Sequence, residues 1–156
     1  MQDNLRAFGM PVEKGRWIFV ALGLVIHLCL GSVYSWSVFR KPLEQLFDVG
    51  ATESGLPYMV FLAFFAALMP IAGRLLNKYG PRLVTLLGGV IVGVGWILAS
   101  FSTSMPLLTL TYGIIAGSGV GIVYGGPIAV STKWFPDRKG VAAGLTLAGF
   151  GLSALI

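Results

Sequence analysis

Few side chains in this sequence can do chemistry, and those few sit in apolar surroundings. His27, Tyr34 and Trp36 lie in one long apolar run, and Tyr124 lies in another, between Gly121 and Gly125. A histidine enclosed by apolar residues is a titratable group at depth, and a buried phenol needs a hydrogen-bond partner. His27, Gly31, Tyr34 and Val38 are spaced to return to one side of a helix, which predicts a stripe with Tyr34 about a turn inside the outer boundary. Trp36 stands nearer that boundary, where an indole serves as an interfacial anchor or as part of a lined cavity. Tyr124, flanked by glycines, has room beside it for a ligand or a neighbouring backbone. Such groups can trade hydrogen bonds with a small polar solute, but they cannot assemble covalent machinery. One histidine and no carboxylate within the apolar runs give no nucleophile–base pair and no set of metal ligands, so neither an enzyme nor a cofactor is expected. Gly117-Ser-Gly119-Val-Gly121 has the look of a dinucleotide loop. It follows no strand, lacks the third glycine and lies inside an apolar run, so that reading fails.

The elements that carry these residues are membrane spans. The 156 residues are 56% hydrophobic and only 11% charged, with a mean hydropathy of +0.84, whereas a soluble domain carries about a quarter charged residues. The net charge of +5 does not point to nucleic acid, because the charges fall in short clusters between apolar runs. A span needs about 20 apolar residues, and five runs approach that length: about 17–39, 55–76, 83–101, 106–130 and 140–156. The first is too long for a signal-peptide core and has no cleavage site after it, so it is retained. Residues 1–16 form an N-terminal segment outside the bilayer. Arg6, Lys14, Arg16, Arg74, Lys78, Arg82, Lys133, Arg138 and Lys139 all fall on one side, against Arg40 and Lys41 on the other. That asymmetry places the N-terminus and both basic loops in the cytoplasm, in a plasma or inner membrane. The chain breaks off at Ile156 inside an apolar run, which leads us to expect the first part of a longer bundle.

Packing signals are strong. Gly89/Gly93, Gly113/Gly117/Gly121/Gly125 and Gly140/Gly144 with Ala148 recur at four-residue spacing, which lines one face of a helix for close approach of a neighbour. Pro70 is expected to kink the second span, and Thr103 or Ser104 to cap the fourth, with Pro106 in its first turn. Cys29, without a second cysteine, is expected as a small buried residue.

Two stretches carry a family resemblance. Gly73-Arg-Leu-Leu-Asn77-Lys78-Tyr-Gly80-Pro-Arg82 resembles the loop between spans two and three of major facilitator superfamily transporters. Asn77 stands where that family usually has aspartate, which removes a negative charge from the cytoplasmic latch. The arginine common early in the family's fourth span is also missing. More narrowly, Tyr34-Ser-Trp36 with Phe39 and Pro42, Gly117-x-Gly119-x-Gly121-x-x-Tyr124, Lys133-Trp-Phe-Pro-Asp-Arg138-Lys-Gly140 and Ala148-Gly-Phe150-Gly151 resemble the oxalate/formate antiporters, relatives of the monocarboxylate transporters.

The resemblance implies the N-terminal part of a helical bundle that moves small organic anions by alternating access. Tyr34, Tyr124 and Phe150, with His27 and Trp36 nearby, would line the carboxylate site. Gly73, Asn77, Lys78, Gly80, Arg82, Lys133 and Arg138 would hold the inner gate. The implied partners are a small carboxylate, the bilayer and the C-terminal half of the same transporter, which would supply the cations missing here. Val33 and an apolar second span favour a monocarboxylate over a dicarboxylate. The competing expectation is a non-transporting sensor or assembly subunit on the same scaffold.

Overall fold

In a bilayer core the backbone has no water to bond with, so each long apolar run satisfies its own N–H and C=O groups by coiling. The computed structural model describes residues 6–7 and 10–155. A short antiparallel ladder, Arg6–Ala7 against Met10–Pro11, precedes α1, Val12–Leu30. A tighter 3-10 turn, Gly31–Ser35, leads into α2, Trp36–Phe47. Then follow α3, Ala51–Tyr79, and α4, Pro81–Ser100. α5, Met105–Leu108, passes through a π-helical stretch, Thr109–Ala116, into α6, Gly117–Trp134. The last helix is α7, Lys139–Leu152, with a final 3-10 turn at Ser153–Leu155.

Four helical segments are long and apolar enough to cross a membrane: Glu13–Phe47, Ala51–Tyr79, Pro81–Ser100 and Met105–Trp134. α7, in the run read as a span over 140–156, is apolar but only 14 residues long. The protein is an all-α integral membrane protein.

The described chain divides into two units, one joining the residues up to Ser32 with those from Pro127, the other running Val33–Gly126. In the first, α1 packs along α7. Gly149 makes this possible, since a β-carbon there would collide with the backbone carbonyl of Leu24. Val20, Phe135 and Ala142 form a small core with Trp134 against it. Polar groups at depth find partners inside the unit. Thr146 Oγ1 lies 2.8 Å from the Ala142 carbonyl and 3.0 Å from Ser131 Oγ, and His27 Nδ1 lies 2.9 Å from the Gly23 carbonyl.

In the second unit the π stretch packs on α3 and α4. The glycine row of the fourth span faces α3: a β-carbon on Gly117 would lie 2.8 Å from Phe61 O, and one on Gly121 would lie 2.6 Å from Phe65 O. Against α4 the contacts differ from the expected row. Gly89 and Gly93 face open space, and it is Gly88 and Gly95 that meet Val123 and Ala116. Likewise Gly140 and Gly144 have nothing against them, and Gly149 carries the contact of α7. Cys29 is exposed rather than buried. Ser104 occupies the cap position of α5, but its side chain makes no capping bond; its carbonyl accepts from Leu108 N–H at 3.0 Å.

Between α3 and α4 the chain turns on one residue. Gly80 has φ +81 and ψ 162, its N–H closes α3 by donating to Leu76 O at 3.0 Å, and Pro81 opens α4. That region of backbone space is open almost only to glycine, at a cost of about 1–3 kcal/mol for other residues. Gly80→Ala should therefore lower the thermal midpoint of the protein, while Gly73→Ala, inside α3 at a site with open space, should leave it unchanged or raise it slightly.

Candidate functional site

The hydroxyls and rings are sorted by which helix turn presents them. The 3-10 turn Gly31–Ser35 winds more tightly than the helix it interrupts, which breaks the 3.6-residue repeat behind the expected stripe. Tyr34 emerges exposed, as does Val38, while His27 and Gly31 are buried. Tyr34 and Tyr124 lie close enough for their phenols to interact electrostatically. The Tyr124 ring meets Phe65 of α3 edge-on, with centroids 5.2 Å apart at 77°. A phenol against an aromatic ring keeps a hydrogen-bond donor within apolar surroundings.

Trp36 is used differently. It is buried, its indole N–H donates to Ser54 O at 3.2 Å, and its ring stacks on Tyr112 at 4.8 Å and 23°. Tyr112 also touches Phe61 at 5.0 Å and Trp96 at 6.2 Å. The π-helical stretch that carries Tyr112 thus joins α2, α3 and α4 through one aromatic cluster, and Trp36 anchors it.

His27 and Phe150 belong to the other unit. The two rings meet edge-on, with centroids 6.3 Å apart at 77°. Both are buried, so their contact ties α1 to α7.

In the second unit an open cleft of about 780 Å³ is lined by Tyr34, Ser37, Arg40, Lys41, Thr52 and Tyr58, among others. Arg40 does more than flank a helix. Its Nε donates to Glu44 Oε1 at 3.1 Å and Ser54 Oγ at 3.0 Å, and its Nη2 donates to Ala51 O at 2.7 Å. Ser54 Oγ donates to the same Glu44 oxygen at 2.5 Å. This knot fixes α2 to the first turn of α3. The Arg40/Glu44 spacing of four was the one trace of it in the sequence.

The stretch read as the first basic loop is mostly helix, with Gly73, Asn77 and Lys78 in the last turns of α3. Gly73, Asn77, Lys78 and Arg82 are exposed, as are Lys133 and Arg138. In the first unit an ordered feature went unread in the sequence: Arg16 Nη1 and Nη2 donate to the two carboxylate oxygens of Asp137 at 2.8 and 3.3 Å. The same guanidinium lies over the Phe135 ring, 4.4 Å from its centroid, and Trp17 meets that ring edge-on at 4.9 Å. The loop after α6 is thereby held to the start of α1.

The hydrogen bonds from Arg16 hold the Asp137 carboxyl below its ordinary value of 3.8. A carboxyl lowered on folding adds stability above its ordinary value and loses it as pH falls through the lowered one. Asp137→Asn should thus cost a small amount of stability at neutral pH, small because the pair is exposed, and should flatten by the same amount the loss of thermal stability as pH falls below 3.8. An unaltered acid limb would show that the pair does not persist.

Comparison with known proteins agrees with this architecture. The chain is 33% identical over 141 residues to the oxalate:formate antiporter of Oxalobacter formigenes, covering 90% of this chain and 34% of that one. It is 35% identical over 144 residues to monocarboxylate transporter 2 of Meriones unguiculatus, covering 90% and 29%, and 32% identical over 143 residues to the human protein of that name, covering 89% and 30%. The chain spans about a third of the length of these relatives. Residues 20–156 match the pattern of the Major Facilitator Superfamily, and the chain belongs to that superfamily.

Proposed function

We propose that these residues form part of a secondary active transporter of small organic anions, of monocarboxylate or oxalate/formate type, working by alternating access. The observation that carries the reading is the similarity to the oxalate:formate antiporter along 90% of the chain. The phenol pair Tyr34 and Tyr124 supports it, as does the lack of any Asp or Glu within the apolar core of the spans. An anion entering such a bundle meets hydrogen-bond donors and no repelling carboxylate. Its countercharge would come from the remainder of the longer protein. Tyr34, Tyr124 and Phe150 would contact the substrate, with His27 and Trp36 bracing the helices that present them.

Orientation follows the basic loops, with the N-terminus cytoplasmic in a plasma or inner membrane. Gly73, Asn77, Lys78, Gly80, Arg82, Lys133 and Arg138 would form the inner gate, where their exposed charges would meet the second half of the transporter. A ligand that binds only the folded state raises its thermal midpoint. Purified full-length protein should therefore be stabilised by formate, lactate or oxalate and not by neutral sugars. Equal shifts, or none, for every solute would favour a non-transporting subunit.

A further inference from the structure

We propose that the cleft beside Arg40 and Lys41, on the outer side in the orientation proposed above, is a recruitment site for small carboxylates, with Lys41 as its cation, adjoining the proposed transport site through Tyr34. Glu44 also lines this cleft, but its charge is already met by Arg40 Nε and the Ser54 hydroxyl. Lys41 is exposed and has no ion-pair partner among the described residues. It leaves the cleft with one uncompensated positive charge. Arg40 Nη1 makes no hydrogen bond among the described residues, because Nε and Nη2 carry all three of that side chain's bonds. Ser37 and Thr52 add hydroxyl donors, and Tyr58 adds a phenol.

One cation, a fixed guanidinium and several hydroxyls suit a small monoanion that arrives hydrated and is held loosely. Tyr34 lines the cleft, so a carboxylate released from Lys41 has its phenol as a next donor. Glu53 lines a different and more apolar cleft with Phe47, Val49 and Leu56, and Glu44 is the one acid among the residues that line this one. Glu53 forms no ion pair with Lys41 among the described residues.

The inference rests on the transport reading for its substrate but not for its binding chemistry, and two measurements separate them. In proteoliposomes holding right-side-out full-length protein, Lys41→Glu should raise the external KM for formate about tenfold at low ionic strength. The maximal rate and the internal KM should hold, the effect should shrink at high salt, and Lys41→Arg should restore the wild-type value. In detergent, formate should quench tryptophan fluorescence of the wild type, and Lys41→Glu should weaken that quench about tenfold. A quench that depends on Lys41 without any transport would keep the site and remove the transport reading. An external KM and a quench both within twofold of wild type in Lys41→Glu, or no quench in either protein, would overturn the site.

Discussion

Gly149→Ala is expected to abolish stable expression, whereas Gly144→Ala, one turn and one residue earlier on the same helix, should express like the wild type. Both substitutions raise helix propensity by the same small amount, so propensity cannot separate them. Contact can. A β-carbon at Gly149 would fall onto the Leu24 carbonyl and crowd that residue's carbonyl and α-carbons, while one at Gly144 meets nothing within 4 Å. The obstacle is backbone, which cannot rotate away as a side chain can, so α7 must move off α1. Overpacking a close contact costs about 1–3 kcal/mol, occasionally more, and here the shift would also disturb the Thr146–Ser131 and His27–Phe150 contacts. The readout is monodisperse protein on size-exclusion chromatography after detergent extraction. Equal yields of the two variants would mean that α1 and α7 do not pack this closely.

Tyr124→Ala should weaken carboxylate transport at least tenfold with expression unchanged, and Tyr124→Phe should separate the hydroxyl from the ring. A hydrogen bond to a charged group contributes about 1.5–3 kcal/mol, equivalent to roughly a tenfold to hundredfold change in affinity. The ring itself packs edge-on against Phe65, so alanine removes both contributions and phenylalanine removes only the first. If the phenol binds the anion, Tyr124→Phe should resemble alanine in KM and the wild type in thermal stability. Uptake kinetics that match the wild type in both variants would remove Tyr124 from the site.

The helical, apolar character of the chain was legible in the sequence because membrane insertion imposes length and hydropathy on local stretches of chain, although four rather than five helices among the described residues reach spanning length. Glycine spacing was legible only in part. The row Gly113/Gly117/Gly121/Gly125 does face α3, but four-residue spacing gave Gly89/Gly93 and Gly140/Gly144 the same weight, and those face open space. The residues that carry contacts, Gly88, Gly95 and Gly149, are set by which neighbour approaches, and periodicity holds no information about the neighbour. The face shared by His27 and Tyr34 fails for a related reason, since the 3-10 turn between them changes the residues per turn. Trp36 shows the third limit. An indole near the boundary suits anchor and cavity alike, and its bond to Ser54 and stacking on Tyr112 are long-range facts. So are the Arg16–Asp137 pair, 121 residues apart, and the bond from Arg40 to Ser54, 14 residues apart.

The central claim is that the protein exchanges small carboxylates across a bilayer. Solute counterflow tests it most directly: purified full-length protein in vesicles loaded with unlabelled formate, oxalate or lactate, then diluted into a trace of the labelled form. The expected result is transient accumulation of label above equilibrium for at least one of these anions, lost in vesicles without internal substrate. Label that only equilibrates at the rate of protein-free vesicles, for all three anions, would contradict it.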